Sequence, residues 1–414
     1  MPILKMTPSL RIAGLAALLL AVGSAAVAQD RDMDTRAEVL AAMRAQKAQA
    51  VEPYKPKGIE KALLYIENNR ILDRFTVGDG WYPLIGRLTT GAGLAGGAGY
   101  RKHLFNEQLL LNSAFVMSMR AYKLAVVDAS YPRLWNDRLE VGTNFRWQDF
   151  PQEDFYGIGS NSTIDTRTNY ALESTDISGR VVFKPITWLR IGTDIGLFDP
   201  SIGRGTDTRM PSIEQVFTDA GAPGLDDQPS FFYKTLSVEF DYRDQPGNAR
   251  SGGLWRASYG AWDDRDLHVF DFGRFDAEVA HFFPIFDKKR VFAVRGGVSY
   301  VNNDPESRVP FYVLPYVGGA NTIRSFREFR FRDENAVFFN VEYRWEAFAG
   351  LDMALFVDAG KVAADWEDVN LSDLKTGYGI GFRFNTYKSV FLRFDVGTGG
   401  GEGTRLFFKF GPAF

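Results

Sequence analysis

The sequence predicts an all-β transmembrane fold, a 16-stranded antiparallel outer-membrane β-barrel with a short helical N-terminal extension. Three observations predict it. The chain opens on an export signal, its hydrophobic pattern switches to period two from Trp81 onward, and its connections alternate between short turns and long loops.

The N-terminus comes first. Lys5 and Arg11 precede an apolar run from Ile12 to Val22, and small residues follow, ending Ala26-Val27-Ala28. This is the layout of a secretory signal peptide, and the run is too short to span a bilayer as a helix. Residues 1–28 are expected to be removed, with Gln29 as the mature start; a retained anchor is the alternative. No later stretch reaches the roughly 18–20 continuous apolar residues of a transmembrane helix. The formal charge of -3 argues against a nucleic-acid partner, and the lack of cysteine fits a protein that needs no disulfides.

Residues 29–80 read as a helical periplasmic lead-in. An Ala-rich charged stretch (34–50) is broken at Pro53 and Pro56, and Ile59, Ala62, Leu63 and Ile66 then recur at helical spacing. The alternative is a plug, or a docking helix for a periplasmic partner at residues 29–75.

The barrel is expected over residues 81–414. In the segment 236–243 every even position is apolar or aromatic and every odd one polar, and Leu139, Val141, Thr143, Phe145 and Trp147 share one face against Glu140, Asn144 and Arg146. A lipid-facing wall around a wet lumen gives both faces a solvent. A soluble sandwich also alternates, so loop lengths must help decide. Sixteen strands are read at about 82–89, 92–103, 107–118, 120–132, 137–149, 170–183, 187–198, 231–243, 252–263, 269–283, 290–302, 335–346, 350–360, 374–385, 388–397 and 404–414. Short turns (131–136, 184–187, 243–252, 284–289, 346–350, 385–388) follow even-numbered strands, and long loops (150–169, 199–230, 303–334, 361–373) follow odd-numbered ones. With both termini in the periplasm, the turns lie inside and the loops outside.

At the C-terminus Leu406, Phe408, Phe410 and Phe414 share one parity. An alternating aromatic last strand ending in Phe resembles the signal presented to the barrel-assembly machinery, which is therefore an expected partner along with outer-membrane lipid. Phe408, Phe410 and Phe414 are assigned to that signal.

The loop 303–334 carries Arg324, Arg327, Arg330 and Arg332. Parity in the next two strands turns Val337, Phe339, Val341, Tyr343 and Trp345 to lipid and Asn340, Glu342 and Arg344 inward; Asp352 and Asp358 also face inward. A guanidinium offers a planar fork able to hold two carboxylates at once, and Arg324 is the candidate for it. These groups are otherwise solvated charges of a partly wet lumen.

Gly318-Gly319, Ile323-Arg324-Ser325-Phe326, Phe331-Arg332-Asp333, Glu342-Tyr343-Arg344-Trp345 and Phe356-Val357-Asp358-Ala359-Gly360 together resemble the BamA/TamA-type bacterial surface-antigen barrel family. That resemblance implies sixteen strands, with the sixth external loop folded into the lumen. It also implies a Val-Arg-Gly-Phe/Tyr motif whose Arg meets inward carboxylates on the next two strands. Carried over, the Arg is Arg324, the aromatic Phe326, and the carboxylates Glu342 and Asp358, a loop-to-lumen lock; Ser325 stands where the family has Gly. The segment from Asp241 to Gly252 is similar to a periplasmic turn of the family. Members that insert or secrete proteins usually carry periplasmic POTRA domains of roughly 75 residues, and residues 29–80 are too short and too helical for one.

Other motifs carry less. Gly91 to Gly96 matches the dinucleotide pattern G-x-G-x-x-G but is followed by strand alternation rather than a helix, so its glycines are read as permitting a bend or leaving room for the folded-in loop. The 397–403 tract is read as an external loop. His103, His268 and His281 lack metal spacing, and His281 reads as an interfacial side chain. No catalytic residue, cofactor or metal is expected. The function implied is protein or lipid insertion or translocation at the outer membrane, with a passive solute pore and a lipid-modifying enzyme as alternatives.

Overall fold

The computed structural model describes residues 78–348, 350–386 and 389–410, so the expected signal peptide and nearly all of the expected lead-in lie outside the described residues. The first half of the barrel is β1 (Gly80–Gly86), β2 (Ala95–Leu104), β3 (Leu109–Ser118), β4 (Lys123–Arg133), β5 (Leu139–Phe155), β6 (Thr168–Ile186), β7 (Leu189–Arg204) and β8 (Phe231–Asp241). The second half begins with β9 (Gly252–Asp264), β10 (Phe272–Ile285) and β11 (Arg290–Asn302). After the loop strands β12 (Tyr316–Val317) and β13 (Phe331–Arg332) it resumes with β14 (Asn335–Phe348), β15 (Leu351–Ala363), β16 (Lys375–Asn385), β17 (Val390–Thr398) and β18 (Arg405–Phe410). All but β12 and β13 form one 16-stranded sheet in which each strand pairs antiparallel with the next, and β12 and β13 form a small hairpin of their own. The sixteen expected strands are all present, in order.

Period-two patterning explains the two faces. Phe145, Ile177, Ile195, Leu236, Val279, Phe292, Val341, Leu355 and Phe408 stand exposed on the outer wall, where lipid is their solvent. Near the short turns, Trp135 stacks on Phe183 (5.9 Å) and Trp188 on Phe240 (6.0 Å), forming part of an aromatic girdle. In lipid every backbone donor must find an acceptor, and the antiparallel ladder supplies them from β1 through β18. No ladder joins β18 to β1 among the described residues. The strands flanking this seam are short, 7 and 6 residues, and β1 contains Pro83, a residue type confined to sheet edges and bulges.

Proline also marks two of the four register shifts inside the sheet. The β5–β6 register shifts between Phe150 and Glu153, around Pro151, and the β6–β7 register shifts between Phe183 and Ile186, around Pro185. A residue without an N–H cannot donate to the ladder, so a bulge forms there.

The expected fifth, sixth and seventh strands (137–149, 170–183 and 187–198) all stop short of the observed ends, and the sixth also starts two residues late. β5, β6 and β7 run 17, 19 and 16 residues, well past the ~9–11 that a bilayer needs. Above the hydrocarbon the ladder still satisfies the backbone, but neither face need be apolar, so alternation fades while the strand continues.

The core sits at the end of the barrel that carries the long loops. Phe155, Tyr170, Ile202, Phe231, Phe272 and Val301 from the strand ends meet Ile213 and Leu225 of loop 205–230, Phe270 of loop 265–271, and Val309, Phe311 and Leu314 of loop 303–315. Phe311 packs edge-on to Tyr170 at 4.9 Å and against Phe155 at 4.8 Å, and its N–H donates to the Pro223 carbonyl (2.9 Å). These loops form an apolar cap over the lumen.

At the other end the turn 242–251 is a folded strap, not a simple reversal. Asp244 accepts from the backbone N–H groups of Gln245, Arg250 and Ser251. The strap then reaches other strands: Arg250 Nη2 donates to both oxygens of Asp352 on β15 (2.9 and 2.7 Å), and Val390 N–H on β17 donates to the Gly247 carbonyl (2.9 Å). Beneath it Ala249, Leu254, Ala280, Phe282, Val291 and Ala293 form a second apolar cluster.

Candidate functional site

Between cap and strap lies the tip of loop 303–334. The β12–β13 hairpin pairs Tyr316 with Arg332 and Val317 with Phe331 and projects the tip, residues 318–330. Gly318 (φ +119°) and Gly319 (φ +91°) start it in backbone conformations that L side chains rarely adopt, and a Cβ on Gly318 would lie 2.3 Å from the Arg327 carbonyl. Thr322 closes the turn, its hydroxyl donating to the Gly318 carbonyl (2.9 Å) and accepting from the Gly318 N–H (2.8 Å). Val317, Ile323, Phe326 and Phe331 pack together with Ala336 and Val362 of the wall. The loop is thus anchored by apolar contacts as well as by arginines.

Arg324 emerges from this tip against β15. Its backbone N–H (3.0 Å) and Nε (2.8 Å) donate to Asp358 Oδ2, its Nη2 donates to Asp358 Oδ1 (2.6 Å), and its Nη1 donates to Glu342 Oε1. The guanidinium lies over the Phe356 ring, 3.6 Å from the centroid. Side-chain exposure is 3% for Arg324 and 0% for both carboxylates, so the lumen here is dry where a partly wet one was expected. Taking these charges out of water is costly, and only a full set of partners offsets it.

The partners extend past the pattern seen in the sequence. Glu342 also accepts from Arg344 Nε (2.6 Å) and Arg383 Nη2 (3.2 Å). Arg383 Nη1 donates to Asp395 Oδ1 (2.6 Å), and Arg393 lies 2.8 Å from Asp395 Oδ2. Asn340 Nδ2 bridges Asp358 Oδ1 (2.8 Å) and the Thr322 carbonyl (2.6 Å), while Arg393 Nη2 donates to the Ala320 carbonyl (2.8 Å). Four guanidiniums and three carboxylates from the loop and from β14 to β17 form one buried network. Arg383, Arg393 and Asp395 were missed in the sequence, although parity marks them: they alternate with Phe382, Phe384, Leu392, Phe394 and Val396.

Space for the tip comes from glycines on the wall. A Cβ on Gly377 would lie 2.2 Å from Ser325 Oγ, and one on Gly397 would lie 2.2 Å from the Arg324 carbonyl. Ser325, fully buried, donates weakly to the Thr376 carbonyl (3.4 Å). Room for the Arg324–Ser325 tip therefore comes from β16 and β17, and of the early glycines Gly91 lies against the loop, where a Cβ would sit 3.2 Å from Arg327 Nη2. Gly99 in β2 instead underlies the Tyr82 ring, with 2.2 Å between its ideal Cβ and Cζ.

The remaining candidates separate. Phe326 lies beside Arg324 but points to the β17–β18 loop, its ring edge-on to Phe331 at 5.3 Å. Phe408 stands exposed on the outer wall, Phe410 is the last residue of β18, and Phe414 lies outside the described residues. His281 faces Tyr242 Oη at 3.2 Å and the Phe283 ring at 4.4 Å, an interfacial setting. Among the described residues no cluster of three or more metal-ligating side chains is present.

Comparison with known proteins fits this geometry. No curated protein sequence matches the chain. Among solved structures, BamA from Haemophilus ducreyi lacking POTRA domains 1–3 superposes with a TM-score of 0.59 at 14% identity, covering 81% of this chain and 70% of that one. CdiB from Escherichia coli superposes with a TM-score of 0.55 at 10% identity, covering 80% of this chain and 61% of that one. At these identities the likeness establishes the barrel fold. The Omp85 superfamily domain matches residues 118–414, from the end of β3 to the C-terminus, and by that match the chain belongs to the Omp85 superfamily.

Proposed function

We propose that this barrel acts at a bacterial outer membrane, after signal-directed export, in the insertion or translocation of protein or lipid. Membership of the Omp85 superfamily supports a role in insertion or transport. The observation that carries the reading is a continuous ladder with one break, around a lumen that is blocked. The seam between β18 and β1 is the one place among the described residues where neighbouring barrel strands share no ladder. Unpaired strand edges in lipid are costly and are templates for an added strand, which is the chemistry an inserting or threading client offers. The working surface is the seam. The lumen is crossed by the apolar cap, the loop tip and the strap, which speaks against a passive solute pore.

The buried network serves as a lock in this reading. Arg324, Glu342 and Asp358 hold the loop inside, and Phe326 seats it. Outer-membrane lipid surrounds the wall, the barrel-assembly machinery inserts the chain by its Phe408 to Phe414 signal, and a periplasmic partner docks on residues 29–75. Depletion tests the role: the levels of other outer-membrane barrels, or of surface lipid, are expected to fall. Normal levels of both would contradict it.

A further inference from the structure

Across the seam, in place of a ladder, Arg87 Nη1 donates a long bond to the Leu406 carbonyl (3.4 Å), and the loop that fills the lumen lies against both flanks. On the β1 side, Glu328 Oε2 accepts from the Thr90 N–H in the β1–β2 loop (3.3 Å). Next to it Gly91 (φ +97°) lies so close to Arg327 that a Cβ there would sit 3.2 Å from Nη2. On the β18 side, Arg330 Nε donates to Glu402 Oε1 in the β17–β18 loop (2.6 Å), and the pair is nearly buried, at 4% and 10% exposure. Arg330 is itself fixed by Ser162, with Nη1 to Oγ and Nη2 to the carbonyl at 2.9 Å each, and its guanidinium lies between the Tyr156 and Phe331 rings. Deeper in the barrel, Lys409 on β18 donates to Asn321 Oδ1 (2.5 Å). The Phe326 ring occupies the space above Gly400, where a Cβ would come within 2.0 Å of Cζ.

We propose that loop 303–334 is the clasp of the seam: Glu328 and Arg330, two residues apart, hold the β1–β2 loop on one side and the β17–β18 loop on the other. The inference rests on the proposed function only in treating the seam as the working surface; the clasp itself is a statement about what keeps β1 beside β18. Its physical consequence differs from that of a ladder. A ladder distributes its bonds along the strand and opens residue by residue, whereas a clasp made of side chains from one loop segment releases both flanks when that segment moves. The ion pair is also partly self-contained, since Arg330 keeps its Ser162 and aromatic contacts when Glu402 departs.

The chain has no native cysteine, so a spin-label pair can be placed cleanly. Ile85→Cys on β1 and Leu406→Cys on β18 are both exposed on the outer wall, and nitroxides there report the seam width in lipid nanodiscs. The full chain is expected to give one narrow distance distribution. Glu328→Ala combined with Glu402→Ala is expected to shift that distribution outward by several ångströms and broaden it. Glu402→Ala alone, which leaves the buried part of the loop intact, is expected to give a smaller shift of the same sign and serves if the double variant does not fold. Arg332→Gln is the control, because Arg332 ties the loop to Tyr170 on β6 and to its own Phe311 carbonyl, away from the seam. An unchanged distance in the Glu402 and double variants, or an equal shift in the Arg332 control, would overturn the clasp. Depletion reads the function separately: a chain that clasps its seam yet supports no insertion keeps the distance result and fails the depletion test.

Discussion

Arg324 grips Asp358 three times, through its backbone N–H, its Nε and its Nη2, at 3.0, 2.8 and 2.6 Å. Because one of the three bonds comes from the main chain, the contact fixes the path of the loop as well as the direction of the side chain. Glu342 takes the remaining arm of the fork from the neighbouring strand. The loop is therefore registered against β14 and β15 at once, which a point charge such as Lys could not do.

Charge reversal tests this grip. Arg324→Glu places a third carboxylate against two that are fully buried, and breaking a buried pair costs about 3–5 kcal/mol. The expected result is loss of heat-modifiable gel mobility at a lower temperature, or raised conductance, with partial rescue by Asp358→Arg or Glu342→Arg. Unchanged mobility and conductance in Arg324→Glu would remove the lock.

The apolar cap of the long loops makes a separate prediction. Phe311 is fully buried among Phe155, Tyr170 and Tyr312, and truncating such a ring costs about 3–5 kcal/mol. Phe311→Ala is expected to raise single-channel conductance in planar bilayers while Arg324 still holds the loop tip. Conductance equal to that of the unmodified barrel would mean that the cap does not seal the mouth.

How much of this was legible in the sequence follows from where period two applies. Between two solvents each strand must alternate, so Leu236 or Phe145 announces its own face, and Glu342 and Asp358 are found by counting. The cap is not legible, because Phe270 and Phe311 come from loops and Phe155 from the far end of β5, and their meeting depends on tertiary packing. Nor is the strap: nothing local to Arg250 points to Asp352, 102 residues away. Arg383, Arg393 and Asp395 obey parity, but nothing local sets inward arginines that alternate with aromatics apart from ordinary lumen charge.

Acidity offers a third test. Asp333 lies in the loop just before β14; burial, with the Asp365 charge adding to it, pushes its carboxyl from 3.8 up to about 6, against the opposing hydrogen bond from the Glu334 N–H. The folded state therefore holds this proton more tightly than the unfolded chain. Its contribution is fully present below about pH 4 and is lost as pH rises through about 6. Asp333→Asn is expected to raise the thermal midpoint at pH 7 and to flatten its fall between pH 4 and 6. A midpoint lowered at pH 7 would contradict the assignment.

The central claim, a loop-locked barrel that inserts or translocates clients at its seam, is tested most directly by reconstitution. Purified full-length barrel in liposomes is mixed with an unfolded eight-stranded outer-membrane barrel, and conversion of that client to its heat-modifiable folded form is followed in time. The account predicts faster conversion than in empty liposomes, with Arg324→Glu returning the rate toward the empty control. Equal rates with the unmodified barrel and with empty liposomes would contradict it.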